Sequence, residues 1–317
     1  MGGHDLTYLQ PHRWQVGINY RRLTADEWLV GKEQRQDLSP NGGPVVLNIN
    51  SLDFTVAYGV TDRLSLSLTM PFSTGSQSRF YTDGQPHEVS AVGLGDINLS
   101  AWTWMRSPST YPNGNVALGL GIKLPTGSNH VEDAYYDTNG PPRYFVDQAI
   151  QLSDGGWGIL LQTQAFQKLV NNVSGYLAGY YLISPQAESD VVFTPSATSP
   201  YAGVHWAMSD VYNVRGGLVL GVAAVPGLSL SLGGRLDGIP KQDLVGGGDG
   251  AFRRPAIEVY VDPGLGLSYG PHTFNLNVPV RVYYDFRASL LDERTINRPA
   301  GGDLAKFLIF AGYTHRF

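Results

Sequence analysis

One segment of the chain carries, within a few residues, the side chains that a hydrolase uses. The stretch "TGSNHVEDAYYD" (126–137) contains Ser128, His130, Glu132 and Asp133. A hydrolytic site needs a serine or a water molecule beside a histidine, and a carboxylate that orients the imidazole ring. Neighbouring positions in a polar loop are weak support for that geometry, because loops are rich in these residue types anyway. Catalysis is therefore a minor hypothesis, and we predict no enzymatic activity.

A second group of charged and aromatic residues is spread along the chain at alternating positions, opposite an apolar set. If these side chains line a pore, they would orient or filter a solute. If they fill a lumen, they would form ion pairs that brace its wall, and the sequence leaves both roles open. The candidate lumen and solute-contacting residues are Asp53, Arg63, Asp96, Trp102, Trp104, Lys123, Arg215, Arg235, Asp237, Glu258, Asp262 and Arg281.

The aromatic members of this group also have two roles open to them. Trp102 and Trp104 share a face with Asp96, and we expect Tyr260 and Tyr283 to point into the lumen as well. Such rings would bind an aromatic solute, or they would simply fill the lumen near one end. Lumen filling is the favoured role, because it is the commoner use of buried aromatic residues.

The glycine-rich stretch "LVGGGDGAFRRPA" (244–256) joins flexible backbone to the pair Arg253 and Arg254. Folded inward as a constriction, the pair would meet acidic lumen residues or an anionic solute. Folded outward, it would bind lipopolysaccharide phosphates or remain as solvated loop charges, which is the default. Arg253 and Arg254 are the candidate residues for a loop constriction.

Strands must position these residues. Apolar and polar residues alternate in "LDFTVAYGV" (52–60), "RLSLSLTMPF" (63–72), "VALGLGIKL" (116–124) and "FNLNVPVRV" (274–282). Strict alternation indicates a strand with one apolar face, and no long segment shows the spacing of an amphipathic helix. Pro279 predicts a lost ladder hydrogen bond or a bulge within the last of these runs. The chain is therefore all-β.

Short and long connections alternate strictly between the strands, which is the layout of bacterial outer-membrane barrels. We predict a single domain over residues 1–317, a transmembrane up-and-down antiparallel β-barrel of about 12 strands with short periplasmic turns and long extracellular loops. The facing of residues 157–182 stays open, and 183–209 holds either an extra hairpin or a strand extension. The short links are 61–62, 106–114, 168–172, 225–227 and 269–272, and the long links are 23–48, 73–92, 126–150, 183–209, 238–256 and 285–303.

A soluble sandwich or a lipocalin-like barrel would show the same alternation with its apolar residues facing inward. The residues opposite the apolar set favour the membrane barrel, because most are Ser, Thr, Gly, Asn or Ala rather than Lys or Glu. Only 15% of the residues are charged, and small neutral groups suit a confined, hydrated lumen. The predicted location is the bacterial outer membrane, in contact with the lipid bilayer and lipopolysaccharide.

The chain ends on an aromatic residue, Phe317, where soluble proteins usually end in a polar tail. The last strand must pair with the first, because an open edge in lipid leaves backbone groups without hydrogen bonds. A terminal strand ending in Phe also resembles the signal that outer-membrane assembly machinery reads, so that machinery is an expected partner. The start, "MGGHDLTYLQPHRW" (1–14), has no apolar signal core, and we interpret it as a mature form with an added Met.

The composition argues against several classes of function. The chain has no Cys, which excludes disulfides, thiolate metal sites and a cysteine nucleophile. The net charge is −5 with a pI near 5.8, and no cluster of Lys or Arg is visible, so a nucleic-acid partner is not expected. We expect no cofactor and no metal.

Several segments resemble the outer-membrane transporter family named after the meta-pathway of phenol degradation. The resemblance implies an outer-membrane barrel that passes small molecules, aromatic ones among the candidates, and it supplies no functional residues. The segments are "YGVTDRLSLSLTMPF" (58–72), "GLGDINLSAWTW" (93–104), "LGLGIKLPTGS" (118–128), "GGRLDGIPKQDLVGGGDGAFRRP" (233–255), "DPGLGLSYG" (262–270) and "VPVRVYYDF" (278–286).

The function we predict is passive uptake of small molecules, hydrophobic or aromatic ones among them. About twelve strands enclose a lumen wider than one that side chains fill and narrower than a porin channel, which predicts a narrow or partly plugged pore. The alternative is a barrel with a plugged lumen whose long loops act as an enzyme or a surface-binding protein. The sequence does not identify the solute, the oligomeric state or whether the lumen is open.

Overall fold

The computed structural model describes residues 8–138, 140–247 and 249–317. The first seven residues of the expected N-terminal stretch lie outside these ranges, as do Asn139 of the long 126–150 link and Gly248 of the glycine-rich segment. Twelve strands form the wall, and two of them, β4 and β11, consist of two segments each. The wall strands are β1 (Trp14–Ala25), β2 (Val46–Gly59), β3 (Leu64–Phe80), β4 (Pro86–Leu94 and Ile97–Trp104), β5 (Gly114–Leu124), β6 (Gly158–Val170), β7 (Val173–Ile183), β8 (Val211–Gly221), β9 (Leu228–Ile239), β10 (Ala256–Tyr269), β11 (His272–Asn277 and Val280–Phe286) and β12 (Leu308–Arg316).

Each strand pairs antiparallel with the next along the chain, and the barrel closes between β1 and β12. The closing register runs from Gln15 opposite Arg316 to Leu23 opposite Leu308. The backbone N–H of Phe317 donates to the carbonyl of Trp14 at 2.9 Å and continues this seam to the last residue. The predicted all-β, up-and-down barrel is confirmed.

The outer face of the wall is an apolar belt. On β5 the exposed residues are Val116, Leu118, Leu120 and Ile122, and the positions between them face the lumen. Tertiary pairing settles the facing of the neighbouring strands, because residues directly opposite each other share a face. A closed barrel with an apolar belt is an outer-membrane barrel, since lipid accepts apolar side chains and no unpaired backbone. The same pairing gives the facing of β6 and β7, which the sequence left open. The inward residues are Leu160, Gln162, Gln164 and Phe166 on β6 and Tyr176, Ala178, Tyr180 and Leu182 on β7.

The two ends of the barrel differ in their connections. Turns of a few residues join the strands at the end that carries Trp14 and Phe317, and loops fold over the opposite end. The connections at this end are numbered in chain order, and the second is only the short turn 81–85 between β3 and β4. Loop 1 (26–45) follows β1, loop 3 (125–157) follows β5, loop 4 (184–210) follows β7, loop 5 (240–255) follows β9 and loop 6 (287–307) follows β11. These five loops form a cap, and we call this the extracellular end because long loops face outward in such barrels.

The prediction of a long loop at 73–92 is wrong. β3 continues to Phe80 and pairs with the Pro86–Leu94 segment of β4, leaving only a turn at 81–85. This part of the hairpin extends past the top of β5, so its outer face does not need the apolar residues that marked the other strands. The alternation criterion fails there for that physical reason.

Three smaller features also differ from, or complete, the expectations drawn from the sequence. Tyr283 does not face the lumen, because a register shift between Val259 and Tyr260 puts Tyr284 opposite Glu258 instead. The interruption of β11 at 278–279 fits the expected effect of Pro279. Residues 183–209 contain the extra hairpin, formed by Glu188–Val192 and His205–Ala207.

Helix is almost absent from the described ranges. The single α-helix there, Leu290–Thr295, lies in loop 6, and Gln148–Ile150 in loop 3 is a 3-10 turn. Among the residues the structure describes, no helix has the length and apolar character needed to cross a membrane. The remaining short elements are strands Trp28–Val30, Glu33–Gln34, Glu132–Ala134, Arg143–Phe145 and Gly302–Asp303, and 3-10 turns Gln36–Leu38 and Pro40–Gly42.

A charge on the lipid face should destabilise the barrel. Leu120 lies near the middle of β5 and is 59% exposed, and we expect Leu120→Arg to lower the free energy of unfolding. The expected loss is roughly 2–4 kcal/mol, measured by denaturant unfolding in lipid vesicles.

The matched control is Leu244→Arg in loop 5, where the leucine is 66% exposed outside the bilayer. We expect no measurable loss for this variant, because its charge stays in water. Equal losses for the two variants would contradict the assignment of β5 as membrane-spanning.

Candidate functional site

The cap has an aromatic core built from four loops. Phe252 of loop 5 lies at its centre and stacks on Phe193 of loop 4 with 3.8 Å between ring centroids. Trp206 and Tyr201 meet Phe252 edge-on at 5.2 and 4.9 Å. Phe145 of loop 3 and apolar residues of loop 6 pack against this cluster. Loops that are far apart in sequence are therefore held in one structure.

Backbone and side-chain hydrogen bonds position the core. Phe252 bridges to the 205–207 strand, donating to the carbonyl of His205 at 2.8 Å and accepting from Ala207 at 2.9 Å. The Tyr201 hydroxyl donates to Asp292 at 2.6 Å. Asp292 also completes a capping box with Ser289 at the start of the loop 6 helix, which fixes that carboxylate in place.

A cavity of about 400 Å³ lies beside this core. Gln77 and Arg79 from the inner face of β3 and Val89 from that of β4 line its lower side, so the cavity sits at the mouth of the barrel. Its volume falls within the roughly 300–1,000 Å³ of small-molecule pockets. The aromatic lining residues are Trp28, Tyr81, Tyr135, Tyr144, Phe145, Phe193, Tyr201, Trp206 and Phe252.

The charged residues that line the cavity are three arginines and one aspartate. Asp147 accepts from Arg254 in a bidentate pair with N–O distances of 3.2 Å, which ties loop 3 to loop 5. The Arg254 guanidinium also lies over the rings of Trp206 and Phe252, at 5.3 and 5.4 Å. Arg79 stacks over Tyr81, with 4.6 Å between the guanidinium carbon and the ring centroid. The fourth charged residue is Arg298 of loop 6.

Loop 3 enters the mouth of the barrel and narrows it. Val146 and Ile150 are buried in an apolar cluster with Val89, Ala91 and other wall residues. A Cβ on Gly75 of β3 would lie 2.7 Å from the Ile150 side chain, so only glycine permits this approach. The loop is thus held against the inside of β3 and β4.

A buried ion-pair cluster fixes the far end of this loop segment. The Lys123 ammonium donates to Asp96 at 2.9 Å and also binds Asp154. The Ser153 hydroxyl donates to Asp96 at 2.9 Å. Asp96 and Lys123, both predicted to face the lumen, therefore lie on its inner side and anchor loop 3.

The middle of the lumen remains accessible to solvent. Arg21 on β1 is exposed although it faces inward, and Tyr180 on the opposite wall is 38% exposed. Asp53 lies on the same inner face of β2 and accepts from the Ser51 hydroxyl at 3.1 Å.

Ion pairs brace the wall from β8 to β11. Arg235 donates to Asp237 at 2.7 Å, and Asp237 also accepts from Asn213 on the adjacent strand. Arg281 donates to Glu27 of loop 1 at 2.7 Å, which ties the cap to the wall. Arg215 lies on the inner face opposite Arg235, and Glu258 accepts from the Tyr260 hydroxyl. Among the predicted charges, Lys123 pairs with Asp96 and Arg235 with Asp237, whereas Arg281 pairs with a loop residue that was not predicted.

The periplasmic part of the lumen is narrow. Trp104 and Tyr176 are buried there, as is Asp262, which accepts from Asn277 at 3.1 Å. Trp102 lies flat across the inner wall, where a Cβ on Gly119 would be 2.9 Å from its ring, and it is only partly buried. Trp102 is therefore less enclosed than Trp104.

Two predicted residues, Arg63 and Arg253, lie elsewhere than expected. Arg63 is exposed in the turn between β2 and β3, so it is not part of the lumen wall. Arg253 is buried inside loop 5 in an ion pair with Asp243, so it does not form a constriction. Arg254 is the member of the pair that reaches the cavity.

The four residues of the hydrolase hypothesis do not form a catalytic triad. The His130 ring binds Asp190 at 3.1 Å, whereas the Ser128 hydroxyl accepts from the His130 backbone N–H at 3.1 Å. Asp133 accepts from the backbone of Ser90 at 2.9 Å. No serine hydroxyl is therefore activated by this imidazole, and the described part of the chain contains no cluster of potential metal ligands.

Sequence reasoning missed Arg21, Arg79, Asp147 and Tyr180. Arg79 fell within a segment expected to be a loop, and Tyr180 within a strand whose facing was open. Arg21 is followed by Arg22, so alternation alone did not say which of the two faces the lumen. Asp147 carried no signal, because its role arises only from the contact between loops 3 and 5.

Burial and neighbouring charges shift the pKa values of two acids of the cap, Asp303 and Asp147, in opposite directions. Burial raises the pKa of Asp303 to about 8, although Arg254 opposes the rise. Burial alone would also raise the pKa of Asp147, but Arg254, the N–H of Ala149 and Arg79 together hold it below its ordinary value. Near pH 7 Asp147 is therefore charged and Asp303 mostly neutral.

Comparison with known proteins supports the architecture. No protein-family model and no curated protein matches the chain. A solved outer membrane channel from Pseudomonas putida F1 superposes with a TM-score of 0.68 at 17% identity, covering 100% of both chains. The toluene transporter TbuX of Ralstonia pickettii gives 0.47 at 9% identity, covering 98% of this chain and 90% of its own. The monoaromatic hydrocarbon channel CymD gives 0.44 at 11%, covering 98% and 89%. The first similarity shows the fold.

Removing the Lys123 ammonium from its ion-pair cluster with Asp96 and Asp154 should release loop 3 from the barrel wall. Lys123→Met leaves Asp96 and Asp154 facing each other in a buried site, which costs roughly 3–5 kcal/mol for a broken pair of this kind. We expect loop 3 to become sensitive to added protease while the barrel stays folded.

Lys168→Met is the control, because Lys168 is exposed at the periplasmic end of β6. It should leave the protease resistance of loop 3 unchanged. If loop 3 of Lys123→Met is as resistant to protease as that of the parent protein, the ion-pair cluster does not hold the loop.

The raised pKa of Asp303 predicts a pH dependence of cap stability. The folded state binds the Asp303 proton more tightly than the unfolded chain, in which the pKa has its ordinary value of 3.8. The stability that this proton contributes to the folded state is therefore fully present below pH 3.8. It is lost as the pH rises from there towards about 8. Asp303→Asn should therefore melt at a higher temperature than the parent protein, with a difference that grows between pH 5 and pH 8.

The measurement is thermal melting of the cap by tryptophan fluorescence, since Trp28 and Trp206 lie in the cap. Asp249→Asn, at an exposed position of loop 5, is the control and should follow the parent protein at every pH. A constant difference between Asp303→Asn and the parent protein would refute the raised pKa.

Proposed function

We propose that this protein is an outer-membrane channel for the passive uptake of small hydrophobic or aromatic molecules. The aromatic-lined cavity at the barrel mouth is the observation that carries the proposal. Inner-face residues of β3 and β4 form its lower side, so a molecule bound there already stands at the entrance of the lumen. The shared fold with an outer membrane channel is consistent with this role.

The energetics suit capture followed by release. A single aromatic ring of roughly 150 Å² gains about 4 kcal/mol when it leaves water at ~25 cal/mol per Å². A free energy of that size alone corresponds to a dissociation constant of about 1 mM, and the cost of association weakens binding further, so a bound ring leaves readily. Transport needs binding that is favourable but weak.

The lumen offers a path along one side. The Arg21 and Tyr180 side chains flank solvent-accessible space in the middle, and the partly buried Trp102 lies on the inner wall below them. The route would pass the inner faces of β2, β3 and β4, where Ser67, Thr55 and similar small residues line the wall. No change of conformation and no energy source enters this proposal.

A second candidate is a surface-binding protein whose lumen is closed. The buried residues Trp104, Tyr176 and Asp262 in the periplasmic part favour it, because side chains fill much of the cross-section there. The two candidates share the loop cavity and differ in whether the solute crosses the membrane through the lumen. Membership of the phenol-degradation transporter family, contact with lipopolysaccharide and recognition of Phe317 by the assembly machinery remain predictions.

The test of transport is uptake of a neutral aromatic compound, benzyl alcohol, into proteoliposomes, with single-channel recording in planar bilayers. We expect faster uptake than in protein-free vesicles and discrete, small current steps. Ser67→Trp should reduce both, because its side chain enters the passage beside Trp102, where Ser67 lies opposite Ser100.

Thr103→Trp is the control, since Thr103 is exposed on the outer face of β4 near the same level. It should leave uptake and current unchanged. Correctly inserted protein that gives neither current nor uptake would refute the channel and favour the surface-binding candidate.

A further inference from the structure

We propose that the loop cavity selects aromatic carboxylates, with Arg79 as the residue that recognises the carboxylate group. The inference deepens the proposed function, because it concerns the solute class taken up by the same site. Its basis is a charge imbalance inside an aromatic-lined cavity, together with the contacts of Arg79.

The cavity has an excess of positive charge. Arg79, Arg254 and Arg298 line it against the single acid Asp147, and Asp147 is already bound to Arg254. Asp303 nearby adds little negative charge at neutral pH, because it is mostly protonated. A neutral hydrocarbon would gain only contacts with the rings and the guanidinium faces, whereas an anion of the right size would also gain an ion pair.

Arg79 is a partly buried cation of the cavity that has no ion-pair partner. It forms no ion pair with any acid in residues 8–138, 140–247 and 249–317, and its Nε is buried without a hydrogen-bond partner. Leaving this N–H group unsatisfied is costly, and a bound carboxylate would lower that cost. Arg298, which also forms no ion pair within these ranges, is exposed to solvent and therefore gains less from a ligand.

The neighbours of Arg79 orient its guanidinium for a planar ligand. Its face lies over Tyr81 at 4.6 Å, and the ring of Tyr135 is 6.0 Å away. A guanidinium stacked on a ring keeps its N–H groups in the plane, where they match the two oxygens of a carboxylate. Aromatic rings such as Phe193 line the same cavity and would contact the ring of the ligand. The two halves of a benzoate-like molecule each have a complementary surface.

The backbone geometry explains why Arg79 is in place before a ligand arrives. It lies near the extracellular end of β3, opposite His87 on β4, so a regular hairpin holds its Cα. His87 stacks on Tyr136 with 3.8 Å between centroids, and Tyr81 meets Tyr136 edge-on at 5.3 Å. This aromatic group fixes the tyrosine on which Arg79 rests.

The test is direct binding to the purified protein in detergent, measured by titration calorimetry with benzoate and with benzyl alcohol. We expect benzoate to bind about tenfold more tightly than benzyl alcohol at pH 7, the effect of one charge-assisted pair. Arg79→Met should remove this preference while retaining weak binding of benzyl alcohol, and Arg79→Lys should give an intermediate result. Equal affinity of the two probes for the parent protein would overturn the proposal.

Arg106→Met is the matched control, because Arg106 stacks over Tyr111 at 4.6 Å but lies in a periplasmic turn. It should keep the benzoate preference in full. If Arg79→Met does not fold, Arg79→Lys decides the question, because unchanged benzoate affinity in that folded variant would contradict bidentate recognition.

Failure of this inference and failure of the channel proposal have different signatures. Rapid benzyl alcohol uptake without a benzoate preference would refute selection by Arg79 and leave the channel standing. A strong benzoate preference without uptake of either compound would refute the channel and retain the site as a receptor for aromatic carboxylates.

Discussion

The hydrogen-bonded seam between β1 and β12 is the interaction on which the rest of the molecule depends. In hydrocarbon each backbone N–H or carbonyl without a partner costs several kcal/mol, so a sheet that spans the bilayer must return to its first strand. Closure of an up-and-down sheet implies an even number of antiparallel strands. It also directs alternate residues to lipid and to the lumen, and it brings all the long loops together over one end of the barrel.

The cap is a consequence of that convergence. Each loop leaves the wall beside its neighbour, so aromatic residues from loops 3, 4 and 5 meet around Phe252 without any local sequence relationship. Loop 3 is then held in the mouth by two independent means, the apolar contact of Ile150 and the ion pairs of Lys123. The cavity is the space that this packing leaves above the lumen.

The sequence predicts the wall well because lipid imposes a pattern on it. Alternation with an apolar outer set marks β2, β5 and the lower part of β3, where every second side chain meets hydrocarbon. The pattern disappears in the 73–80 part of β3, since water replaces lipid there and either face tolerates polar residues. The sequence therefore predicts a loop where the upper hairpin lies, and it gives no sign that Arg79 belongs to a strand and faces inward.

The candidate site was only partly predictable for a related reason. Residues such as Lys123 and Asp96 were placed on the inner face correctly by alternation, but alternation does not reveal which loop will reach them. The cavity lining comes from segments with no periodicity, and their contacts are tertiary. A charged residue in a strand can thus be located by sequence, whereas its partner in a loop requires the structure.

The mutual dependence of the loops bears on how the cell-surface part of this protein can change. Surface loops usually vary more in sequence than the strands they connect. Here Tyr201 binds Asp292, Arg254 binds Asp147 and Arg281 binds Glu27, so each of these contacts joins two different loops, or a loop and the wall. A substitution in one loop then requires a compensating change elsewhere, and foreign epitopes for surface display are better inserted at the exposed positions 249–250 of loop 5.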